Sequence, residues 1–313
     1  MSGRRQKLNP QGSKRPGARR RVKARSALLL TLLAALLVFL WQALRATAFS
    51  GLDGISAMLA EALVTVTAFA LPAALGLLVL DGDQRRLVPL DALSPEQLFA
   101  LAMTGALAVA PLTLLHDMLG TLLSWPQEAV APMASGRAAA LFLPVLLKSA
   151  LLAPLCEEVF FRGYLLGVLA PYGRRAAVLA TALLFALMHM GQGMLPCALL
   201  GVLLGALTLR TDSLLAPVLV HGCYNLAIVL ISFAGLTPLF DRLSLPACAL
   251  RLAMSAGFAC MLLRAWRARP QQRRAQLASG ARMTLGELAR LGLAALLLIA
   301  SVICCLLMPE VKP

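Results

Sequence analysis

The chain has 313 residues, of which 60% are hydrophobic and only 14% are charged, with a formal net charge of +15. Soluble domains carry about 25% charged residues, so this composition excludes an ordinary water-soluble protein. The alternative solvent is lipid, in which a spanning helix needs about 20 apolar residues. The 7 cysteines are odd in number and include no CxxC pair, which argues against a disulfide framework and a zinc knuckle.

Apolar segments recur along the chain and predict an all-α, polytopic transmembrane helical bundle of eight or nine spans. The basic residues 1–26 are rich in Gly, Pro and Ser, and we expect them to form a disordered cytoplasmic tail. The nine predicted spans lie near residues 27–45, 58–80, 97–118, 139–166, 175–190, 195–210, 214–234, 245–264 and 287–307. The fourth is longer than a bilayer requires, so we expect it to tilt or to project into the cytosol.

Basic residues between the predicted spans set the expected orientation. With the N-terminus inside, every predicted cytoplasmic loop contains arginine, including Arg85, Arg174 and Arg210, and the outer loops contain few. Cytoplasmic loops of membrane proteins are enriched in Lys and Arg, and anionic lipids attract them. We therefore expect a multi-pass protein of the plasma (inner) membrane whose basic clusters contact the lipid bilayer and not nucleic acid.

Ionisable side chains inside the predicted spans mark a functional site by default, because they are costly at membrane depth. They concentrate in the middle third of the chain. They are Lys148, Glu157, Glu158 and Arg162 in the fourth span, His189 in the fifth, and His221 with the polar Asn225 in the seventh. Glu158 and Arg162 are four residues apart and can pair on one helix face, whereas Glu157 points about 100° away and is left free.

Two kinds of hydrolytic chemistry fit this set. A buried carboxylate and an imidazole can act as general base and acid on water, while an amide and a second imidazole donate hydrogen bonds to an oxyanion. Alternatively, one glutamate and two histidines can ligate zinc and leave a position open for water. Both schemes lead most naturally to hydrolysis of a peptide bond. The sequence contains neither an HExxH helix nor a GxSxG elbow.

A non-catalytic membrane scaffold or a proton-coupled transporter is the alternative function. Chains of carboxylates and imidazoles also build proton relays in membranes. Transporters of this size often contain internal repeats, and we find none in this sequence.

Other polar and aromatic positions are expected to be structural. His116 and Asp117 fall at the outer end of the third predicted span, where we expect a solvated loop. Phe185 is expected to pack near the site, and Lys148 receives no role.

Three short motifs occur in order on successive predicted membrane helices. They are EExxxR from Glu157 to Arg162, FxxxH from Phe185 to His189, and HxxxN from His221 to Asn225. In order, spacing and placement they resemble the CAAX protease and bacteriocin-processing family of intramembrane proteases, also called the ABI family. The resemblance covers about residues 139–234. It implies a catalytic core there, between transmembrane helices in residues 27–138 and further helices with a basic linker in residues 235–313.

The resemblance also implies roles for the buried residues. Glu157 would be the carboxylate that activates water, and His189 would assist it. Glu158 and Arg162 would hold the site together. The protein would then be an intramembrane endopeptidase that acts on a membrane-bound protein or peptide.

For the remaining residues, the resemblance implies that His221 and Asn225 stabilise the oxyanion. It favours a glutamate-dependent mechanism without a required cofactor. The alternative is a metalloprotease with a divalent metal such as zinc on Glu157, His189 and His221. We favour the first, because an asparagine four residues after the second histidine suits an oxyanion site better than a zinc site.

Overall fold

A computed structural model describes residues 28–38, 40, 41, 44, 54–79, 89–123, 136–189, 193–240 and 243–267 of the chain. Within these residues every regular element is helical, and the pairing of Leu90 with Ser213 is an isolated β-bridge. The predicted all-α class is confirmed. The predicted basic tail, residues 1–26, and the ninth predicted span, residues 287–307, lie outside the described residues.

Eight helices follow one another in the described part of the chain, and two of them change helix type along their length. They are α1 (Leu28–Val38), α2 (Gly54–Thr65, π-helical Val66–Ala70 and Leu71–Val79), α3 (Pro95–Leu123), α4 (Gly136–Leu146, π-helical Leu147–Leu152, Ala153–Glu158, π-helical Val159–Leu165, Leu166–Leu169 and 3-10 helical Ala170–Tyr172), α5 (Arg174–Met188), α6 (Met194–Thr211), α7 (Leu215–Phe233) and α8 (Leu245–Trp266). A short 3-10 helix, Thr237–Leu239, lies between α7 and α8.

Among the described residues, six helices are long and apolar enough to cross a membrane. They are α2, α3, α4, α6, α7 and α8. The protein is therefore an integral, multi-pass membrane protein. A total of eight or nine spans and a cytoplasmic N-terminus stay predictions.

The fifth predicted span, residues 175–190, is the shorter helix α5. It has 15 residues and is about 22 Å long, whereas the hydrocarbon core of a bilayer is about 30 Å thick. Helix α6 returns antiparallel to it, because Nη2 of Arg174 donates a hydrogen bond to the carbonyl of Leu209 at 3.0 Å. With Arg174 at the membrane surface, His189 at the other end of α5 would lie at membrane depth.

Two apolar cores hold the bundle together. The first joins α1, α2, α4 and α5 around the rings of Phe69, Phe160 and Phe161, whose centroids lie 5.1–5.9 Å apart. The second joins α3, α6, α7 and α8 around Leu101 and Leu204. The polar residues of the middle third lie on α4 and α7 and at the end of α5, where the two cores meet.

Helices α4 and α7 approach closely at Gly222. A Cβ atom built on Gly222 would lie only 2.7 Å from the carbonyl oxygen of Ala150 in α4. Glycine at this position therefore allows the backbone of α7 to pack directly against α4. This approach sets the distance between His221 and the carboxylates of α4.

The expectation of a solvated loop at His116 and Asp117 is wrong. Helix α3 continues to Leu123, and the side chain of Asp117 is buried against α8. There it pairs with the fully buried Arg251, which also donates a hydrogen bond to the carbonyl of Phe240 at 2.8 Å. The partner lies 134 residues away in the chain, so helix periodicity alone did not reveal it.

Lys148 has a partner as well. Its Nζ pairs with Oε2 of Glu61 in α2, and both side chains are about a quarter exposed. The pair joins α2 to α4.

Candidate active site

The start of the site in α4 is set by a proline that follows a π-helical stretch. The N–H of Ala153 donates to the carbonyl of Lys148, five residues earlier, as in a π-helix. The next residue, Pro154, has no N–H. The carbonyl of Ser149 therefore lacks both its α-helical and its π-helical donor. Nδ2 of Asn225 in α7 donates to this carbonyl at 2.8 Å, so the proline of α4 creates the acceptor that holds the asparagine.

Glu158 is fully buried and is held from two sides. Its Oε1 accepts hydrogen bonds at 2.8 Å from Nη1 of Arg162, one turn later, and at 2.8 Å from Nδ1 of His221 in α7. The contact with Arg162 was predicted from the four-residue spacing, and the contact with His221 was not. Because a carboxylate accepts, Nδ1 of His221 is the donor and its Nε2 is left for another contact.

Arg162 joins three helices around the carboxylates. Its side chain is fully buried, and Nη2 donates to the carbonyl of Gly201 in α6 at 3.2 Å. Its guanidinium carbon lies 4.5 Å from the ring centroid of Phe185 in α5, within the range of a cation–π contact. The ring of Phe185 also lies 4.3 Å from that of His189 and 5.5 Å from that of His221, centroid to centroid. Phe185 therefore packs at the site, as predicted.

Glu157 faces His189. Its Oε2 lies 3.5 Å from Nε2 of His189, which is longer than an ordinary hydrogen bond, and among the described residues this oxygen has no hydrogen-bond partner. Nδ1 of His189 donates to the carbonyl of Phe185 at 2.8 Å, which turns Nε2 towards the carboxylate. His189 directly follows the last turn of α5, so the short length of that helix delivers the imidazole to Glu157.

The charges of the cluster do not cancel without a further proton. Glu157, Glu158 and Arg162 are all buried, and Arg162 contacts Glu158. An uncompensated buried charge costs several kcal/mol. We infer that Glu157 and His189 hold a proton between them, and such a pair is suited to proton transfer.

The three residues suggested as zinc ligands do not form a metal site in this arrangement. Among the described residues, no group of three His, Cys, Asp or Glu side chains is placed to hold a metal ion. His221 directs its Nδ1 to Glu158, and His189 directs its Nδ1 to a backbone carbonyl. Contacts of this kind also orient the histidines of zinc sites, so metal dependence stays a prediction.

Two members of the site were not found from the sequence. They are the carbonyl groups of Ser149 and Gly201, which accept hydrogen bonds from Asn225 and Arg162. Backbone groups leave no mark in a residue pattern. Pro154 is the only residue in the sequence that indicates a free carbonyl at Ser149.

Comparison with known families agrees with the motifs. Residues 139–227 match the model of a family described as Rce1-like, type II CAAX prenyl endopeptidase. The matched segment contains the six residues Glu157, Glu158, Arg162, His189, His221 and Asn225, which lie on α4 and α7 and directly after α5. No curated protein and no solved structure matches the chain. The match over residues 139–227 supports assignment of this segment to the CAAX protease and bacteriocin-processing family.

Proposed function

We propose that the protein is an intramembrane endopeptidase that hydrolyses a peptide bond in a membrane-bound protein or peptide. The family match supports a protease of the CAAX type. The observation that carries the proposal is the difference between the two adjacent carboxylates. Glu158 accepts two hydrogen bonds of 2.8 Å through Oε1, whereas Glu157 has no contact that short and its Oε2 faces an imidazole at 3.5 Å.

In the proposed reaction, Glu157 acts as the general base. Its carboxylate takes a proton from water while the water oxygen attacks the carbonyl carbon of the scissile peptide. The C–N bond of the resulting tetrahedral intermediate then breaks. His189, hydrogen-bonded through Nδ1 to its own helix, delivers a proton from Nε2 to the leaving nitrogen. No metal takes part in this proposal.

The oxyanion would be bound by α7. Asn225 has two amide hydrogens, and its contact with Ser149 uses one of them, so the second can reach the substrate. His221 already donates through Nδ1, so its Nε2 donates only when the ring is protonated. The carboxylate of Glu158 stabilises that charged ring, much as a buried aspartate supports the histidine of a serine protease. The proposal therefore requires a protonated His221 during the reaction.

The setting of the reaction follows from the burial of the cluster. Charged groups at this depth line protein or a water-filled space, so water would reach Glu157 through a cavity between helices. We place the enzyme in the plasma (inner) membrane with a cytoplasmic N-terminus, supported by the distribution of arginines among the loops.

Peptide cleavage in proteoliposomes tests the proposal. The full chain would be given two quenched fluorescent substrates, a farnesylated peptide ending in a CAAX sequence and an apolar peptide without lipid. We expect Glu157→Gln and His189→Gln to lower turnover by about 10²–10⁴-fold, the usual contribution of general acid–base catalysis.

Matched controls come from the same chain. Glu96→Gln changes an exposed glutamate in the first turn of α3, and His116→Gln changes the third histidine of the protein. Both should cleave at the wild-type rate. If Glu157→Gln cleaves as fast as Glu96→Gln, the assignment of Glu157 as the base is wrong.

Two further arms separate the alternatives. A chelator should leave turnover unchanged, and a loss restored by added zinc would favour the metalloprotease. Proton flux without peptide cleavage in the same liposomes would favour a transporter.

A further inference from the structure

An open cavity of about 510 Å³ lies between α5, α6 and α8. Its volume is within the range of about 300–1,000 Å³ that is usual for pockets that bind small molecules. The residues that line it are apolar on the walls and basic at one end: Val178, Leu179, Val202, Ala206 and Leu209, with Arg174, Arg175, Arg210 and Trp266. The basic end is at the start of α5, the far end of that helix from His189. The cavity is thus separate from the proposed active site.

The start of α5 carries an unbalanced positive charge. Its first two residues are Arg174 and Arg175, its first turn contains no acidic residue, and Gly173 before it provides no side-chain cap. The N-terminal end of a helix is itself positive, so cations there are unfavourable and anions are favoured. No acidic residue lines the cavity among the described residues. An anion at this end would compensate both the arginines and the helix end.

Two of the guanidinium groups are held in place by backbone contacts. Nη2 of Arg174 donates to the carbonyl of Leu209 at 3.0 Å, and Nε of Arg210 donates to that of Trp266 at 3.1 Å. The guanidinium of Arg210 also lies 5.5 Å from the Trp266 ring centroid. Each contact uses one of the five N–H donors of an arginine, so donors remain for a phosphate. Arg175 is exposed beside them.

We propose that this cavity binds one anionic phospholipid. The phosphate group would lie on Arg174, Arg175 and Arg210, and an acyl chain would lie along the apolar wall. The wall opens to the lipid, since Leu179 is 60% exposed on a membrane helix. Basic pockets between membrane helices bind anionic headgroups, and tryptophan favours the membrane interface. A free phosphate ion would leave this apolar wall unused. The inference does not depend on the proposed peptidase activity.

Quenching of Trp266 fluorescence by brominated lipid tests the proposal. Trp41→Phe and Trp125→Phe would leave Trp266 as the only tryptophan of the full chain, purified in detergent. Dibrominated phosphatidylglycerol, which is anionic, should quench at a concentration at least about tenfold lower than zwitterionic dibrominated phosphatidylcholine. Each arginine close to an anionic headgroup contributes about a fivefold preference.

Substitutions then assign the preference to the cavity. Arg175→Gln, which changes an exposed side chain, should weaken quenching by phosphatidylglycerol about fivefold. The triple variant R174Q/R175Q/R210Q should remove the preference. The control R264Q/R267Q removes two exposed arginines at the same end of α8 that do not line the cavity, and it should keep the preference.

Three outcomes would overturn the proposal. Equal quenching by the two lipids in the protein with all its arginines would exclude selection of an anionic headgroup. An equal effect of Arg175→Gln and the control would mean that the preference for phosphatidylglycerol comes from overall surface charge and not from this cavity. Displacement of the brominated lipid by millimolar inorganic phosphate would assign the arginines to a free anion.

Discussion

Replacing Gly222 by alanine would test whether the spacing of α4 and α7 sets the geometry of the site. A Cβ atom there would lie 2.7 Å from the carbonyl oxygen of Ala150. An ordinary contact needs roughly 3.4 Å or more, so α7 would have to move away from α4 by about 0.7 Å. His221 is the neighbouring residue on α7 and would move with the helix.

The expected loss follows from that displacement. The hydrogen bond between Nδ1 of His221 and Oε1 of Glu158 is 2.8 Å long, and such a shift would carry it beyond the normal limit of about 3.2 Å. A displacement of about 1 Å in an active site can lower the rate about 10²-fold, so we expect turnover to fall about 10–100-fold. Overpacking of the interface should cost about 1–3 kcal/mol of stability.

Peptide hydrolysis in proteoliposomes and thermal melting in detergent would measure the two effects. Gly257→Ala is the matched control, because its Cβ would lie 3.2 Å from a side-chain atom of Leu107, in the contact of α3 with α8. It adds the same methyl group without moving His221. Wild-type turnover by Gly222→Ala, or an equal loss of turnover in Gly257→Ala, would refute the reasoning.

Three further predictions concern polar contacts. Asn225→Ala should lower turnover about 10²–10³-fold, the usual effect of losing one oxyanion donor, and full activity would contradict its role. Asp117→Ala removes the carboxylate that neutralises the buried Arg251, and it should lower the free energy of unfolding by about 3–5 kcal/mol. The double variant D117A/R251M should recover much of that stability. Additive losses in the double variant would contradict the pairing. Arg162→Lys cannot reproduce the two contacts with Glu158 and α6, so the melting temperature should fall, and an unchanged melting curve would contradict this.

The helices and the local pairs could be predicted from the sequence. Long apolar segments favour helices in lipid, because a helix satisfies its backbone hydrogen bonds internally. The contact of Glu158 with Arg162 followed from one turn of helix spacing. The polar residues could also be recognised as a set, because few ionisable groups occur in such apolar segments.

Contacts between helices could not be predicted in the same way. Periodicity shows which residues share a face, but it does not show which helix that face meets. The bond from His221 to Glu158 and the pair of Asp117 with Arg251 therefore emerged only with the structure. The extent of α5 was predicted to within two residues, but it was predicted as a membrane span, and its 15 residues are fewer than a bilayer requires.

The π-helical stretch Leu147–Leu152 has a consequence for the direction in which α4 presents its side chains. In a regular α-helix, residues ten positions apart, such as Lys148 and Glu158, would point about 80° from each other. A π turn accommodates one extra residue, which increases that angle to about 180°. Lys148 can then meet Glu61 of α2 while Glu158 meets α7 on the other side. The extra residue rotates the later part of α4 about the helix axis, so that Lys148 faces α2 and Glu158 faces α7.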